Sequence, residues 1–280
     1  MISSTANNKV RRLVSLRQKA KLRREEKVFI VEGVRMFREA PAEWIREVYV
    51  SESFLNRCEK HTENTEDLKE SMERFHYEVL ADEVFKKVSD TQTPQGVLCV
   101  LSMPQYELLR SIDGWLCGWE KEKKPPLLVL LEDLQDPGNL GTIFRAGEGA
   151  GIDGVIMTRK TADIFNPKVI RSTMGSIYRV PFFIVDGLAD AIEILKQKGI
   201  AVYAAHLDDS VDYDEPDYTG PAAFLIGNEG SGLKRETAEE ATQYIKIPME
   251  GQVESLNAAV ASTILMYEAA RQRKKAHRSV

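Results

Sequence analysis

The spacing of apolar residues changes along the chain. Over residues 7–26, Val10, Leu13, Val14 and Leu16 fall on one helical stripe among Arg and Lys, which predicts a basic amphipathic helix. Short apolar runs at 28–31, 48–50, 77–80 and 95–100 predict four strands, the last following the turn residue Pro94. A helix starting at Gly33 and a charged helix over 58–74 fit between them. This pattern describes a small α/β unit ending near Met103. Residues 104–126 read as a connector, because 121–124 is charged and Pro125-Pro126 is stiff. The expected division is therefore 1–104, a linker at 105–124, and 125–280.

From Leu127 the pattern differs. Residues 127–131 are all apolar, as in a strand buried on both faces. Predicted helices at 140–150, 167–175, 188–198, 233–241 and 256–273 alternate with strands at 154–158, 180–185, 201–206, 222–226 and 244–247. Residues 208–217 form an acidic loop. The alternation predicts an α/β domain with a mostly parallel sheet and helices on both faces. In such sheets ligands bind at the carboxyl ends of the strands. In the last helix Leu256, Val260, Ile264 and Tyr267 share a stripe expected to face the core.

Composition narrows the classes. The 280 residues are 43% hydrophobic and 29% charged, ordinary for a globular protein. No apolar run is long enough to span a bilayer, and the polar, basic N-terminus lacks a signal peptide's apolar core, so a cytoplasmic location is expected. Cys58, Cys99 and Cys117 are widely spaced, and the four histidines lack ligand spacing, so neither disulfides nor a metal centre is expected. Net charge is −5, yet residues 1–38 carry 11 Lys/Arg against 3 Glu, and residues 268–280 carry 5 against 1. Two basic ends on an acidic body fit either a polyanion footprint or solvated helix faces.

Three stretches carry candidate chemistry. Residues 134–146 (LQDPGNLGTIFRA) follow the first buried strand: Pro137 and Gly138 make a turn, Asn139 stands where a helix N-cap belongs, and Arg145 falls about two turns on. Residues 224–233 (FLIGNEGSGL) run a buried strand into a loop with three glycines, where backbone can approach a ligand closely. The loop is neither a P-loop nor a GxGxxG dinucleotide fingerprint. Residues 245–249 (IKIPM) and 253–261 (VESLNAAVA) end a strand and open a helix, with Ser255 as the expected cap and Asn257 harder to explain in a first turn. Three such loops at three strand ends are how a small-molecule pocket is built in an α/β sheet.

In order and spacing these stretches resemble the three signature motifs of the SpoU/TrmH family of RNA 2′-O-ribose methyltransferases, over residues 125–273. Residues 165–172 (FNPKVIRS) also resemble a family segment, and 31–33 (VEG) with 93–97 (TPQGV) resemble the family's N-terminal RNA substrate-binding domain. That domain is more typical of the ribosomal-RNA branch than of the tRNA branch. The resemblance implies a trefoil-knotted catalytic domain, a homodimer, and S-adenosylmethionine held by residues Leu225, Gly227, Gly230, Ile247, Met249, Ser255, Leu256 and Ala258. It implies a catalytic set of Arg145, Asn139, Glu229, Ser255 and Asn257. Many members carry Val-Ser where this chain has Ala258-Ala259.

Methyl transfer from a sulfonium needs no metal; the ribose hydroxyl, a weak nucleophile, must be oriented and relieved of its proton. Arg145 is the candidate for that task, as base or as electrostatic clamp, with a guanidinium better suited to the second. RNA contacts are expected from Arg11, Arg12, Arg17 and Lys19 and from Lys168 and Arg171, positioning phosphates without selecting sequence. The expected substrate is a guanosine in large-subunit ribosomal RNA. A tRNA methyltransferase of the same chemistry and a non-catalytic RNA-binding protein remain alternatives; a nucleotide-dependent oxidoreductase is disfavoured by the missing fingerprint.

Overall fold

The computed structural model describes residues 1–59, 66–122 and 124–278. In chain order these form α1 (Asn8–Gln18), α2 (Ala20–Glu26), β1 (Val28–Glu32), α3 (Val34–Glu39), β2 (Ile45–Ser51), α4 (Glu52–Glu59), α5 (Glu66–Glu73), β3 (Glu78–Leu80), α6 (Asp82–Val88) and β4 (Val97–Ser102). There follow α7 (Leu108–Glu122), β5 (Leu127–Leu131), α8 (Pro137–Ala150), β6 (Gly154–Thr158), α9 (Pro167–Thr173), β7 (Phe182–Val185), α10 (Ala189–Gln197), β8 (Ala201–Ala205), β9 (Val211–Asp212), β10 (Ala222–Ile226), α11 (Arg235–Glu239), β11 (Gln243–Lys246) and α12 (Ala258–Arg278). Of the helix expected over 58–74, the ends belong to α4 and α5, and 60–65 lie outside the described residues.

The chain divides into two compact units. The first comprises residues 1–105 and 163–178. Its sheet has the order β1-β4-β2-β3, antiparallel except for the parallel β2–β3 pair. Val10, Leu13 and Leu16 of α1 bury into one core with Ile30, Tyr49, Leu98, Val100, Phe85 and Val88. The single basic helix expected over 7–26 is two helices, broken at Lys19, whose backbone is extended. Arg23, only 3% exposed, accounts for the break: its guanidinium donates to the Leu16 and Arg17 carbonyls at 2.6 and 3.0 Å, satisfying the end of α1. The same guanidinium pairs with Asp163. The segment 163–178 folds against this unit, with Phe165 5.0 Å from Phe29 between ring centroids and the Tyr178 hydroxyl donating to Met36 O at 2.9 Å.

The second unit comprises residues 106–162 and 179–280. Its seven strands are all parallel, in the order β7-β6-β5-β10-β8-β11-β9. Most of the expected connector is the helix α7, whose Ile112 enters the core of this unit with Trp115 and Leu116 packed beside it. The i, i+3, i+4 spacing of those three residues outweighs the charged, Pro-terminated end that suggests a linker. β5 and β10 are buried along their whole length and lie side by side at the centre of the sheet. From β5 the chain runs outward through β6 to β7; it then crosses to β8 on the other side. Loops after the central strands therefore diverge and leave a crevice at their carboxyl ends.

α12 differs from expectation. Its buried positions are Ala259, Ser262, Leu265, Met266, Glu268 and Ala269. Val260 and Tyr267 are 48% and 49% exposed. The small residues Ala259 and Ser262 share the buried face with Leu265 and Met266, and of the expected stripe Val260 and Tyr267 point outward while Leu256 and Ile264 are half-buried.

Candidate active site

The three loops singled out in the sequence are joined by one hydrogen-bonded relay. Asp136, not Asn139, caps α8: its carboxylate accepts the Asn139 N–H at 2.8 Å and Pro137 occupies the first turn. Asp-Pro is the stronger start, since Asp satisfies an orphan N–H and Pro lacks one. The Asn139 carboxamide is thereby free. It donates to Glu229 Oε1 at 2.9 Å, and its Oδ1 accepts from the Asn257 amide at 2.9 Å. Asn257 in turn caps α12, with Oδ1 accepting from the Ala259 and Val260 N–H groups at 2.9 and 3.3 Å. Ser255 is not the cap; it lies on the exposed loop before the helix.

The direction of this relay follows from chemistry. An ionised carboxylate only accepts, so the Asn139 NH2 must face Glu229 and its oxygen must face Asn257. The Asn257 NH2 then faces Asn139, leaving its oxygen for the helix end. Glu229 also accepts the Gln135 and Asp136 N–H groups, each at 2.9 Å. Burial alone raises the pKa of Glu229, but the donors from Gln135, Asn139 and Asp136 outweigh it and hold the carboxylate below its ordinary range.

The glycine loop is closed on itself. Asn228 and Gly232 exchange backbone hydrogen bonds at 3.0 and 2.9 Å, and the Asn228 side chain accepts from Gly230 N and Ser231 N. A Cβ on Gly227 would stand 2.2 Å from the Gly232 carbonyl carbon, so only glycine permits the closure. The far end of the loop is braced by Glu132, 3% exposed, which accepts from Lys234 N at 2.8 Å and Thr237 Oγ1 at 2.6 Å. Asn228, Asp136 and Glu132 are site-forming residues that the sequence reading passed over. The Asp-Pro pair and the Asn two residues before a glycine were the available signals.

A cleft of about 440 Å³ opens at the ends of β8, β10 and β11. Its walls include Ile226, Gly227, Ile245, Ile247, Met249, Leu256, Ala258 and Leu265, with Glu229, Gly230 and Ser255 at its polar side. Three acids, Asp208, Glu229 and Glu254, face it against one lysine, Lys246. An apolar, net-acidic cleft suits a flat heteroaromatic ring joined to a positively charged group and is unsuited to a pyrophosphate.

Of the expected cofactor residues, Gly227, Gly230, Ile247, Met249, Ser255, Leu256 and Ala258 line this cleft; Leu225 does not, being wholly buried in the core. Glu229 and Ser255 of the catalytic set line it, and Asn139 and Asn257 are tied to Glu229 through the relay. Arg145 is exposed and outside the lining. Six residues along α8 at 100° each place it about 120° around the helix from Asn139. Of the expected RNA contacts, Arg11, Lys19 and Lys168 are exposed. Arg12 pairs with Glu26 and Glu47, Arg17 donates to the Ser89 carbonyl, and Arg171 pairs with Asp90 at 2.6 Å. Among the described residues no group of acids, Cys and His could hold a metal ion, and no helix is long and apolar enough to cross a membrane.

Comparison with known proteins gives a consistent result. Residues 126–267 match the model of the SpoU rRNA Methylase family, and residues 7–99 match the MRM3-like substrate binding domain. A 23S rRNA (guanosine(2553)-2′-O)-methyltransferase, RlmP, of Bacillus subtilis is 32% identical over 266 residues, 95% of this chain and 97% of that protein. Among solved structures, an AdoMet-bound rRNA methyltransferase from Sinorhizobium meliloti superposes with a TM-score of 0.79 at 30% identity, covering 96% of this chain and 97% of that one. The SpoU methyltransferase AviRb from Streptomyces viridochromogenes, in complex with AdoMet, gives 0.81 at 26% identity, covering 96% and 100%.

Proposed function

The chain belongs to the SpoU rRNA methylase family and is an S-adenosylmethionine-dependent RNA 2′-O-methyltransferase, and we propose that its target is the ribose of a guanosine in 23S ribosomal RNA. The observation that carries this reading is the relay from Glu229 through Asn139 to Asn257, which ties all three family motifs together beside the cleft. The MRM3-like domain and the guanosine-modifying relative favour ribosomal RNA over tRNA.

The residues present fit the cosubstrate. The apolar walls around Ile226, Ile247 and Leu256 accept the adenine, Gly227 leaves room at the β10 end, and the acids of the cleft favour a sulfonium. S-adenosylmethionine supplies an already activated methyl group for in-line displacement. The chain's task is then to hold the acceptor. Glu229, kept ionised, fixes the start of α8 and orients Asn139; Asn257 fixes the start of α12; Ser255 borders the methionine end. Arg145, outside the cleft, acts on the RNA side: as a cationic clamp its guanidinium orients the 2′-hydroxyl and offsets the charge developing on the oxygen, whose proton leaves to water as the methyl is transferred. Lys168, Lys19 and Arg11 supply phosphate contacts.

The reading extends to assembly and location. The catalytic domain adopts the family's trefoil knot. Val260 and Tyr267 are exposed on α12 with the half-buried Ile264 between them, and a second copy covers this face to give a homodimer. The enzyme works in the cytoplasm, where its RNA is. Purified protein should transfer labelled methyl from S-adenosylmethionine to 23S RNA, and the label should be alkali-resistant at one guanosine. Transfer to tRNA alone would overturn the substrate assignment, and the absence of any transfer would overturn the catalytic one.

A further inference from the structure

One polar side chain of the cleft has no part in the relay or in the family motifs. His206 directly follows β8, the strand that lies between β10 and β11 in the sheet, and it lines the cleft between the loops that follow those two strands. Its backbone is pinned by a hydrogen bond from His206 N to Ile245 O at 3.0 Å. Its ring packs on Tyr244 of β11, with centroids 4.8 Å apart and planes tilted by 37°. The ring is held at Nδ1 as well: the Asp208 N–H donates to it at 3.2 Å, nearer than the Asp208 carbonyl at 3.4 Å. An amide N–H only donates, so Nδ1 is the acceptor and the neutral ring carries its proton on Nε2. Nε2 has no hydrogen-bond partner among the described residues. The fold thus holds a ring by its backbone, one face and one nitrogen, and leaves a single donor unused at a binding cleft.

We infer that His206 is a cosubstrate-binding residue whose Nε2–H donates to an oxygen of bound S-adenosylmethionine, either a ribose hydroxyl or the methionine carboxylate. A free polar donor at a mostly apolar cleft is the kind of group that fixes a ligand's orientation. The inference rests on the proposed use of this cleft for S-adenosylmethionine and adds a specific residue to it. His206 touches no reacting atom in this scheme, so its loss raises KM for the cosubstrate and leaves kcat nearly unchanged.

Two substitutions separate binding from loop support. Glutamine places an N–H near the position of Nε2 and gives up Nδ1; asparagine keeps an acceptor near Nδ1 and gives up the outer donor. Calorimetric titration of the full chain with S-adenosylhomocysteine should show His206→Ala and His206→Asn binding about tenfold more weakly than wild type, and His206→Gln within about threefold of it. KM for S-adenosylmethionine should follow the same order. Titration with 5′-methylthioadenosine, which keeps the ribose hydroxyls and lacks the carboxylate, then assigns the oxygen: sensitivity to His206→Ala means the ribose, insensitivity the carboxylate. Equal binding by wild type and His206→Ala would overturn the inference alone, as would rescue by asparagine but not by glutamine, which would make His206 a loop support. Failure of wild type to bind S-adenosylhomocysteine would overturn this inference together with the proposed function.

Discussion

The catalytic end of the second unit and the basic surface of the first use polar side chains in opposite ways. At the catalytic end, residues whose ordinary use is local are released from it. Asp136 takes over the cap of α8, and the Asn139 carboxamide is free to bridge Glu229 and Asn257. In the first unit, several cations that look available are consumed locally. Arg12 is held by Glu26 and Glu47, Arg171 by Asp90, and Arg23 is buried against carbonyls and Asp163. A polar residue's role is therefore set by whether a neighbour has already satisfied the local need.

The sharpest way to break this comparison is at Arg145. It is exposed and outside the relay, so Arg145→Ala should leave the melting temperature nearly unchanged while methyl transfer falls about 10²- to 10³-fold. A large drop in melting temperature would mean that Arg145 is also structural.

Glu229→Gln comes next. It sets an amide where the Gln135, Asp136 and Asn139 donors converge, so at least one donor loses its acceptor. Methyl transfer should fall about 10- to 100-fold, with a stability loss of about 1 kcal/mol or less in chemical denaturation, because the carboxylate and its donors face solvent. The acid limb has a defined sign. The Glu229 pKa is depressed in the folded state, so its contribution is present above the unfolded glutamate value and is lost as pH falls through the lower folded value. Binding of S-adenosylhomocysteine measured against pH should not lose this contribution near neutrality; a loss there would contradict the assignment.

Asn257 separates capping from catalysis. Asn257→Ala should cost about 1 kcal/mol of stability together with activity. Asn257→Asp keeps the acceptor for Ala259 and Val260 N–H but turns a carboxylate toward Asn139 Oδ1, so stability should be retained while methyl transfer falls. Equal activity in the Asp variant would show that the relay's direction does not matter.

The smallest effects belong to the basic surface. Lys19→Ala and Lys168→Ala should weaken RNA binding uniformly and reduce the salt slope by about 1 each. Arg12→Ala should leave that slope nearly unchanged and lower the melting temperature instead. Filter binding across a salt series, beside thermal melts, distinguishes the two groups.

This contrast also explains what the sequence disclosed. The sheet was legible because parallel strands such as β5 and β10 are buried on both faces and read as unbroken apolar runs. The three loops were legible because glycine, proline and asparagine at strand ends have few other uses. The caps differ from expectation by a few residues, since Asp136 and Asn139 both qualify by type and only the observed hydrogen bonds choose between them. The buried face of α12 is hard to read for a related reason: Ala259 and Ser262 are small and carry little hydrophobic signal, yet small side chains are what close packing requires. Arg12 and Arg171 could not be separated from Arg11 and Lys168, because their partners Glu47 and Asp90 are distant in sequence. The break at Lys19 is hidden for another reason: it depends on the Arg23 guanidinium turning back onto the nearby Leu16 and Arg17 carbonyls, which residue type alone does not specify.

The central claim is methylation of one ribose in 23S RNA, carried out by the relay and Arg145. The most direct test is a map of 2′-O-methylation across ribosomal and transfer RNA from cells lacking this gene, complemented with wild type or with Arg145→Ala. One 23S guanosine should lose its methyl group, recover it with wild type, and not recover it with Arg145→Ala. Recovery with Arg145→Ala, or a lost site in tRNA with 23S RNA unchanged, would contradict it.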